Sequence, residues 1–337
     1  MSNQKKAISV LFFPAQDSFK ASTRTQVYER AMALRKEGIK ARILIEKERR
    51  NPLIGNKDRL LLFPFVFWRY DIIFFQKTFS FIHRFYAKLA KAFGKKIVFH
   101  IDDYTPAQED FRKMVELSHL TLVPSRLLCE MAKKHSRHVK ILPAVVDTGR
   151  FPPVARAAKK PVVLGWVGRW QKNLMMILDT LQSLCKRHHL LLKIVGSEDA
   201  EVADECRKRG IPVKITGWLD SSDVPKEMEE MDIALLPSPG SFLEKAGMHT
   251  KLLEYMASGL PVVCTPIGEI PSIVGDGIHG YLPTSPSQWE ESLERLITDQ
   301  SLRRKMGSAG RRHVQKYSMR HTTRQMIGYF SEILKGS

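Results

Sequence analysis

A strand followed by a glycine-bearing turn and two basic residues is the first segment that could do chemistry. In VVLGWVGRWQKN, Gly165 and Gly168 lie at the end of a predicted strand, and Arg169 and Lys172 precede a helix. Glycine lets the backbone approach a ligand, and the N-terminus of the following helix favours an anion. Two cations there suit a pyrophosphate. Taken alone, the pattern is more typical of a tight turn with solvated cations, because short glycine patterns are weak signals.

A second segment, KAGMHTKLLEYMASGLPVVCT at residues 245–265, predicts a loop that enters a helix near Thr250. Lys251 and Glu254 are three residues apart and therefore share one face of that helix, near its N-terminal end. A carboxylate one turn into a helix can accept hydrogen bonds from both hydroxyls of a ribose. From spacing alone, an ordinary surface Lys–Glu pair is the commoner case.

A third feature is Trp218, which follows a predicted strand and Gly217. Its indole could border the base of a nucleotide. A partly buried aromatic residue is the commoner interpretation of the same pattern.

Strands and helices must position these residues, and the sequence predicts an alternation of both. In the first half, strands are predicted at 8–13, 41–45, 71–75, 97–101, 120–123 and 139–142, with helices at 26–36 and 79–93. In the second half, strands are predicted at 162–166, 191–195, 214–216, 233–236, 261–264 and 280–282, with helices at 174–185, 200–209, 224–231, 251–258 and 289–297. Short apolar strands between helices indicate parallel sheets covered on both faces.

A change of composition divides the sequence at DTGRFPPVARAAKK, residues 147–160. Prolines, small residues and charges are typical of a linker. We therefore predict an N-terminal Rossmann-like domain over residues 1–150 and a C-terminal one over residues 151–318. The polar helical tail closes the chain, and its last part, 319–337, can pack back on the first domain.

Together these segments resemble glycosyltransferase family 4, the retaining sugar-nucleotide enzymes of the GT-B fold. The matching stretches are GWVGRWQKN, KIVGS, ITGWLDSSDVPKEMEEMDIALLPS, KLLEYMASGLPVVCTPIGEIPSIVGDGIHGYL and MGSAGRRHVQKYS. They occur in the family's order and cover most of residues 161–318, and KLLEYMASGLPVV is highly specific. The resemblance implies an α/β chain of GT-B fold with two Rossmann-like domains that face a central cleft. The C-terminal domain would hold the sugar donor.

The resemblance also assigns roles to single residues. Arg169 and Lys172, beside Gly168, match the pair that binds the donor pyrophosphate. Glu254 matches the carboxylate on the nucleotide ribose, and residues 268–271 match a loop near the phosphates. The donor-binding residues that we predict are Gly168, Arg169, Lys172, Trp218, Lys245, Gly247, His249, Lys251 and Glu254.

The sequence departs from the family at one notable position. Many members carry a second Glu eight residues before the ribose Glu, where this chain has Ala246. The segment EKAGMHTK looks more like a subgroup with Lys and Gly there, so Lys245 or His249 can take over beside Gly247. The spacing between the Arg and the Lys after GWVG is also two residues shorter than usual, which leaves the sugar open.

The first half resembles the family more weakly. SFKASTRTQVYERAMALRKEGI is similar to a subgroup with a Ser-x-Arg start, which places Ser22 and Arg24 on the acceptor side of the cleft. KKIVFHIDDYTP resembles that subgroup's strand ending in an Asp–Asp pair, here Asp102 and Asp103. Two adjacent carboxylates seldom end a buried strand without a task, so both are predicted to be catalytic. His100 either joins them or packs inside.

The implied reaction moves a sugar from a nucleoside diphosphate sugar to an acceptor hydroxyl, with retention of anomeric configuration. Arg169, Lys172 and a helix N-terminus would stabilise the leaving diphosphate, which makes these two cations catalytic. We therefore expect a metal-independent hexosyltransferase with no cofactor. Its acceptor would be a glycan or a lipid-linked glycan, as in polysaccharide synthesis at the cell surface.

Positive charge is concentrated in the first half of the chain. Of the formal net charge of +19, residues 1–150 carry 29 Lys+Arg against 14 Asp+Glu, and the remainder carries 25 against 21. Such asymmetry indicates an anionic partner: nucleic acid, an anionic membrane or a phosphorylated acceptor. Residues 60–70 and 77–96 interleave aromatic and basic residues, which suits a membrane interface. An amphipathic helix on a buried sheet would show the same pattern.

Other features of the sequence indicate where in the cell the protein is expected. No stretch reaches the ~18 uncharged apolar residues of a membrane span, and the first apolar run is too short for a signal peptide. The four cysteines are far apart and form no C-x-x-C pair, which argues against zinc and against a disulfide framework. We expect a cytoplasmic protein that can also bind peripherally at the inner face of the cell membrane.

Three other functions remain open from the sequence. A nucleic-acid-binding protein would use the basic half, but it leaves KLLEYMASGLPVV unexplained. An inactive GT-B scaffold is compatible with Ala246 in place of the usual Glu. A non-hydrolysing sugar-nucleotide epimerase shares the fold.

Overall fold

The computed structural model describes residues 8–14, 21–44, 56–102, 108–153, 161–168, 171–196 and 200–335. The chain divides into two compact units. Unit 1 comprises Met1–Pro143, Ala246–Met248 and Met319–Ser337, and unit 2 comprises Ala144–Lys245 and His249–Ser318. The first stretch of unit 1 thus ends before residue 150, where we predicted the domain boundary, and the C-terminal segment from Met319 counts with unit 1.

Unit 1 contains a sheet of six parallel strands in the order β2-β1-β3-β4-β5-β6. The strands are β1 (Ser9–Pro14), β2 (Lys40–Ile43), β3 (Ile72–Gln76), β4 (Lys96–His100), β5 (Leu120–Val123) and β6 (Val139–Ile141). Every residue of β1 and β3 is buried. This is the pattern of a parallel sheet covered on both faces, as the sequence predicts.

The helices of unit 1 before its sixth strand include three that the sequence analysis missed. They are α1 (Ala21–Thr23), which continues through a π-helical segment (Arg24–Glu29) into α2 (Arg30–Lys36), α3 (Asn56–Val66) with a 3-10 turn (Phe67–Arg69), α4 (Phe81–Ala92), α5 (Gln108–Leu117) and α6 (Arg126–Lys133). The missed helices are α3, α5 and α6. In α3, Pro64 lies inside the helix, and proline normally indicates that a helix ends.

Unit 2 contains a second sheet of six parallel strands, in the order β12-β11-β10-β7-β8-β9. The strands are β7 (Val162–Val167), β8 (Leu190–Val195), β9 (Val213–Thr216), β10 (Ile233–Leu236), β11 (Val262–Cys264) and β12 (Gly280–Tyr281). Each lies at a predicted position, within one residue at either end. The strand order reverses between β7 and β10, and this is the place where ligands of such sheets bind.

The helices of unit 2, with the last helix of the chain, complete the fold. They are α7 (Leu178–Cys185) after a 3-10 segment (Gln171–Ile177), α8 (Ala200–Lys208), α9 (Val224–Glu229), α10 (Phe242–Ala246), α11 (Thr250–Ala257), α12 (Ile270–Ile273), α13 (Pro286–Thr298), α14 (Gln300–His313) with a 3-10 turn (Val314–Tyr317), and α15 (Met319–Lys335) in unit 1. Local chemistry sets several ends. In α13, for example, Ser285 accepts a hydrogen bond from the Gln288 amide and Pro286 stands in the first turn.

The described part of the chain contains neither a candidate membrane span nor a candidate metal site. None of its helices combines the length and the apolar character that a membrane crossing requires. Its His, Cys, Asp and Glu side chains form no group of three that could hold a metal ion.

Candidate functional site

The candidate site of unit 2 lies at the carboxyl ends of β7 and β10, where the strand order reverses. Gly168 directly follows β7, and Ser238 lies just after β10. The Ser238 amide donates to the Thr265 hydroxyl at 3.0 Å, which ties the end of β10 to the residue that follows β11. Three strand ends thus meet at one edge of the sheet, in the crevice that favours ligands.

The end of β7 is attached to helix α11 by a buried hydrogen bond. The Val167 amide donates to the phenolic oxygen of Tyr255 at 2.7 Å. Tyr255 is fully buried, and this burial raises its pKa well above the usual value. Tyr255 lies inside the KLLEYMASG stretch but was not among the predicted site residues. Its hydroxyl satisfies an amide at the end of a strand, so β7 and α11 are held together.

The side chain of Lys251 lies against the glycine turn. A β-carbon built at Gly168 would overlap with the Nζ atom of Lys251, and Gly168 has φ +153°, a conformation that favours glycine. The same Nζ atom lies 5.4 Å from the centroid of the Trp166 ring. The turn at Gly168 and the start of α11, which were predicted to bind a diphosphate together, are therefore in contact. The ammonium group of Lys251 lies at that contact.

The N-terminus of α11 is preceded by a residue in an unusual conformation. His249 has φ +46°, in the left-handed region. Burial lowers the pKa of His249 to about 4, although Glu269 and Glu244 act in the opposite direction. The imidazole is therefore neutral near pH 7. The N-terminal end of a helix carries partial positive charge, and a neutral imidazole beside it leaves that end suited to an anion.

Gly268 allows the loop after β11 to approach His249. Its φ is +52°, and a β-carbon there would overlap with the carbonyl oxygen of Lys245 and lie 2.9 Å from Nε2 of His249. Space and conformation both require glycine. The loop predicted to lie near the phosphates thus packs against two of the predicted donor-binding residues.

A carboxylate that the sequence analysis did not single out is anchored close by. Glu244 accepts hydrogen bonds from the Ser241 amide at 2.9 Å, the Ser241 hydroxyl at 2.7 Å and the Asn173 amide group at 2.8 Å. Burial alone would raise the pKa of Glu244, but these hydrogen bonds and one from Ser238 leave it below its usual value. The carboxylate is ionised and held in place, two residues before Ala246.

Other predicted donor residues are placed differently. Lys172 forms an exposed ion pair with Glu201, with 2.6 Å between Nζ and Oε2. Trp218 is 59% exposed after β9. Glu254 is half-buried, one turn into α11. Gly247 lies between α10 and α11, and Lys245 is exposed near the end of α10. Arg169 is outside the described residues.

In unit 1, Asp102 lies just after β4 and is fully buried. The Lys77 ammonium lies 2.7 Å from its Oδ1, and the Ser22 hydroxyl donates to its Oδ2 at 2.6 Å. Gln76 donates to Ser22 at 3.2 Å. Asp102 is therefore a paired carboxylate that joins α1 to the ends of β3 and β4. Asp103 lies outside the described residues.

His100 packs inside the sheet, which is one of the two interpretations that the sequence left open. Its side chain is fully buried and stacks on Phe74 with 5.7 Å between the ring centroids. Burial, with the charges of Arg30 and Lys77, holds the pKa of His100 well below its usual range. A neutral side chain with no exposed surface does not reach a substrate in this conformation.

The segment with the Ser-x-Arg start forms the helical stretch from α1 to α2. The Nε atom of Arg24 lies 3.6 Å from a carboxylate oxygen of Glu29. Arg30 is fully buried, donates to Gln26 at 2.8 Å, and has its pKa lowered to about 9 by burial. Arg24 is thus partly exposed near the start of this stretch, and Arg30 is buried in its middle.

The match to a protein family lies in the second half of the chain. Residues 161–299 match the family model described as Glycosyl transferases group 1. A D-inositol 3-phosphate glycosyltransferase from Corynebacterium jeikeium (strain K411) is 27% identical over 222 residues, 58% of this chain and 52% of that relative. A sulfoquinovosyl transferase from Arabidopsis thaliana is 26% identical over 242 residues, 65% of this chain and 45% of that relative. The chain thus spans about half the length of these relatives.

Solved structures extend the likeness of the fold to the whole chain. Sucrose-phosphate synthase from Thermosynechococcus elongatus has a TM-score of 0.72 at 16% identity, covering 98% of this chain and 100% of that one. Anabaena Alr3699/HepE, in complex with UDP-glucose, has a TM-score of 0.72 at 16% identity, covering 96% and 100%. The predicted fold class, α/β of GT-B type with two Rossmann-like units, is confirmed. The resemblance to group 1 glycosyltransferases is confirmed for residues 161–299, and the finer subgroup stays a prediction.

Proposed function

We propose that this protein is a glycosyltransferase that moves a sugar from a nucleoside diphosphate sugar to an acceptor hydroxyl. The observation that carries the proposal is the position of the Lys251 ammonium against the Gly168 turn, at the place where the strand order of unit 2 reverses. A cation, a glycine-bearing turn and a helix N-terminus together form a site for a diphosphate. The group 1 match over residues 161–299 supports the same reaction class.

Catalysis would consist largely of stabilising the diphosphate as it leaves. The positive charges of Lys251 and of the N-terminal end of α11 would interact more strongly with the charge that develops on the leaving group than with the intact donor. Arg169 and Lys172 would add to this field, and Lys172 would exchange its exposed partner Glu201 for the diphosphate. We propose that the reaction needs neither a metal nor a cofactor.

The nucleoside and the sugar would lie on either side of the diphosphate. Glu254 would accept hydrogen bonds from the ribose, and Trp218 would border the base. On the sugar side, Glu244 would supply the carboxylate that Ala246 lacks, because its carboxylate is already fixed by Ser241 and Asn173. His249, Lys245 and Gly247 would surround the same sugar.

The acceptor side would be built on unit 1. Ser22, Arg24 and Asp103 would bind the acceptor, and Asp102 would position them through Ser22 and Lys77. We propose a glycan or lipid-linked glycan as acceptor, transfer with retention, and a place at the inner face of the cell membrane, consistent with the basic first half.

Donor binding followed by transfer tests the proposal in two steps. A thermal-shift panel of UDP-, GDP- and ADP-sugars should show one base that raises the melting temperature, because a ligand that binds the folded state stabilises it. UDP-glucose is the first compound to try, since Anabaena Alr3699/HepE was crystallised with it. Lys251→Ala should abolish the shift, and Lys226→Ala, an exposed lysine of the same unit, should retain it.

The three other functions give different results in the same experiment. A non-hydrolysing epimerase would show the shift and change the sugar of the donor without releasing a nucleoside diphosphate. An inactive scaffold would show the shift but release no nucleoside diphosphate from the donor. A nucleic-acid-binding protein would show no shift with any donor and salt-sensitive binding to DNA or RNA. No shift with any nucleotide sugar would contradict the proposed function.

A further inference from the structure

Large apolar side chains are exposed on one part of unit 1 more than anywhere else in the described chain. Of the thirteen large hydrophobic residues that are exposed there, seven lie between residues 61 and 93, with exposures from 46% to 77%. We call these the α3–α4 surface: Leu61, Leu62, Phe65, Trp68, Phe81, Phe85 and Phe93. Monomeric soluble proteins rarely expose so many neighbouring apolar groups without an interaction to make.

The inner sides of the same helices are already packed. Phe63 in α3 contacts Tyr86 in α4 with 4.9 Å between ring centroids, and Phe67 contacts Phe93 at 5.5 Å. Ala87 and Ala90, on the inner side of α4, are fully buried. The buried core of unit 1 includes none of the seven exposed residues, although Phe93 contacts it at Phe67. An amphipathic helix on a buried sheet accounts for the inner side of α4 and leaves its exposed rings without a role.

The segment that carries the α3–α4 surface is rich in cations. Residues 60–96 contain seven Lys+Arg and one Asp+Glu. That one carboxylate, Asp71, accepts hydrogen bonds from the amide and hydroxyl of Ser9 and is engaged inside the unit. Lys88 and Lys91 are exposed on α4, and the Arg69 guanidinium lies 5.0 Å from the centroid of the Trp68 ring.

We propose that the α3–α4 surface binds an anionic membrane, with its aromatic side chains in the headgroup region and its cations on the lipid phosphates. Aromatic rings with an apolar body suit that interface, and long basic side chains reach from it to the charged headgroups. Charge complementarity selects this occupant. A second copy of the chain would bring the same cations face to face, which opposes association.

The proposal rests on the proposed function only for the location of the acceptor, since a lipid-linked glycan would be reached from the membrane surface. Membrane binding and donor binding are measured separately. A protein that binds vesicles but no sugar donor would therefore contradict the proposed transferase function and leave the membrane proposal standing.

Flotation of the full chain with vesicles tests the membrane surface. Phosphatidylcholine vesicles should bind weakly, and vesicles that also contain phosphatidylglycerol should bind at least tenfold more protein at low salt. The double variant Phe65→Ser/Phe81→Ser removes one ring from each helix and should lower binding at least tenfold. Lys88→Glu/Lys91→Glu should do the same and flatten the dependence on anionic lipid.

The control makes one change of each kind elsewhere on unit 1. Met32→Ser/Lys36→Glu alters an exposed apolar and an exposed basic residue of α2 and should bind vesicles like the wild type. Circular dichroism verifies that each variant is folded. Equal vesicle binding by wild type and both α3–α4 variants, or no wild-type binding to anionic vesicles, overturns the proposal. So does light scattering that shows a dimer which the Phe65→Ser/Phe81→Ser variant dissociates without a change in vesicle binding.

Discussion

The Nζ atom of Lys251 fills the space that a β-carbon would take at Gly168. These residues belong to different secondary-structure elements, the end of β7 and the first turn of α11. Val167 directly precedes Gly168, Tyr255 lies one turn after Lys251, and the hydrogen bond between Val167 and Tyr255 holds the same two elements together. We therefore expect a small change in Gly168 or Lys251 to weaken donor binding more than it lowers the stability of the fold.

Gly168→Ala should weaken donor binding at least tenfold. The added methyl group collides with the Lys251 ammonium and the backbone conformation disfavours a side chain, so the cation must move. Isothermal titration with the donor found by thermal shift measures the loss. Gly328→Ala is the control, because a β-carbon there meets nothing within 4 Å in the interior of α15. It should leave donor affinity unchanged. An unaltered affinity in Gly168→Ala would disprove the placement of the diphosphate.

Tyr255→Phe should destabilise the protein by about 1–3 kcal/mol, the usual cost of leaving a buried polar group without its partner. The change removes the oxygen that accepts the Val167 amide and leaves the ring in place. Urea unfolding of wild type and variant measures this difference in the free energy of unfolding. Tyr281→Phe, in β12 at the edge of the same sheet, should have a smaller effect. Equal stability of wild type and Tyr255→Phe would show that this hydrogen bond contributes nothing.

His249 should make stability depend on pH in a definite direction. The folded state keeps the imidazole neutral down to about pH 4, whereas the unfolded chain takes up a proton near pH 6.5. Stability from this residue is complete above pH 6.5 and is lost as the pH falls from 6.5 towards 4. At pH 5 the loss amounts to about 2 kcal/mol.

The variant His249→Asn isolates this contribution, because asparagine tolerates the left-handed conformation. The decrease in unfolding free energy from pH 7 to pH 5 should be about 2 kcal/mol smaller in the variant than in the wild type. His189→Asn, an exposed histidine of the same unit, should keep the wild-type decrease. A variant with the full wild-type decrease would contradict a neutral His249.

Lys77→Met should destabilise the protein by about 3–5 kcal/mol, because it leaves the buried Asp102 carboxylate without its cation. The double variant Lys77→Met/Asp102→Asn removes both charges and should recover much of that loss. Thermal and urea unfolding of the two single variants and the double variant complete the cycle. Additive effects in this cycle would mean that the pair has no coupling and that Asp102 is not held by Lys77.

The alternation of strands and helices was predictable because the period of apolar residues is a local property. All twelve strands were predicted near their positions, and residues 233–236 were predicted with the bounds that β10 has. Helix α3 was not predicted, because a proline and a continuous apolar run hide its period. The π-helical segment before α2 has no sequence signal of its own that periodicity could detect.

The sequence by itself determined the fold class, the turn at Gly168 and the helix that opens near Thr250, because glycine positions and apolar periodicity act within a few residues. Only the tertiary structure decided that Lys251, rather than Lys172, lies against the turn, that Tyr255 ties β7 to α11, and that His100 is buried. Those outcomes depend on side chains far apart in the chain, 88 positions apart for Val167 and Tyr255. Such pairs meet only after strand order and helix packing are set.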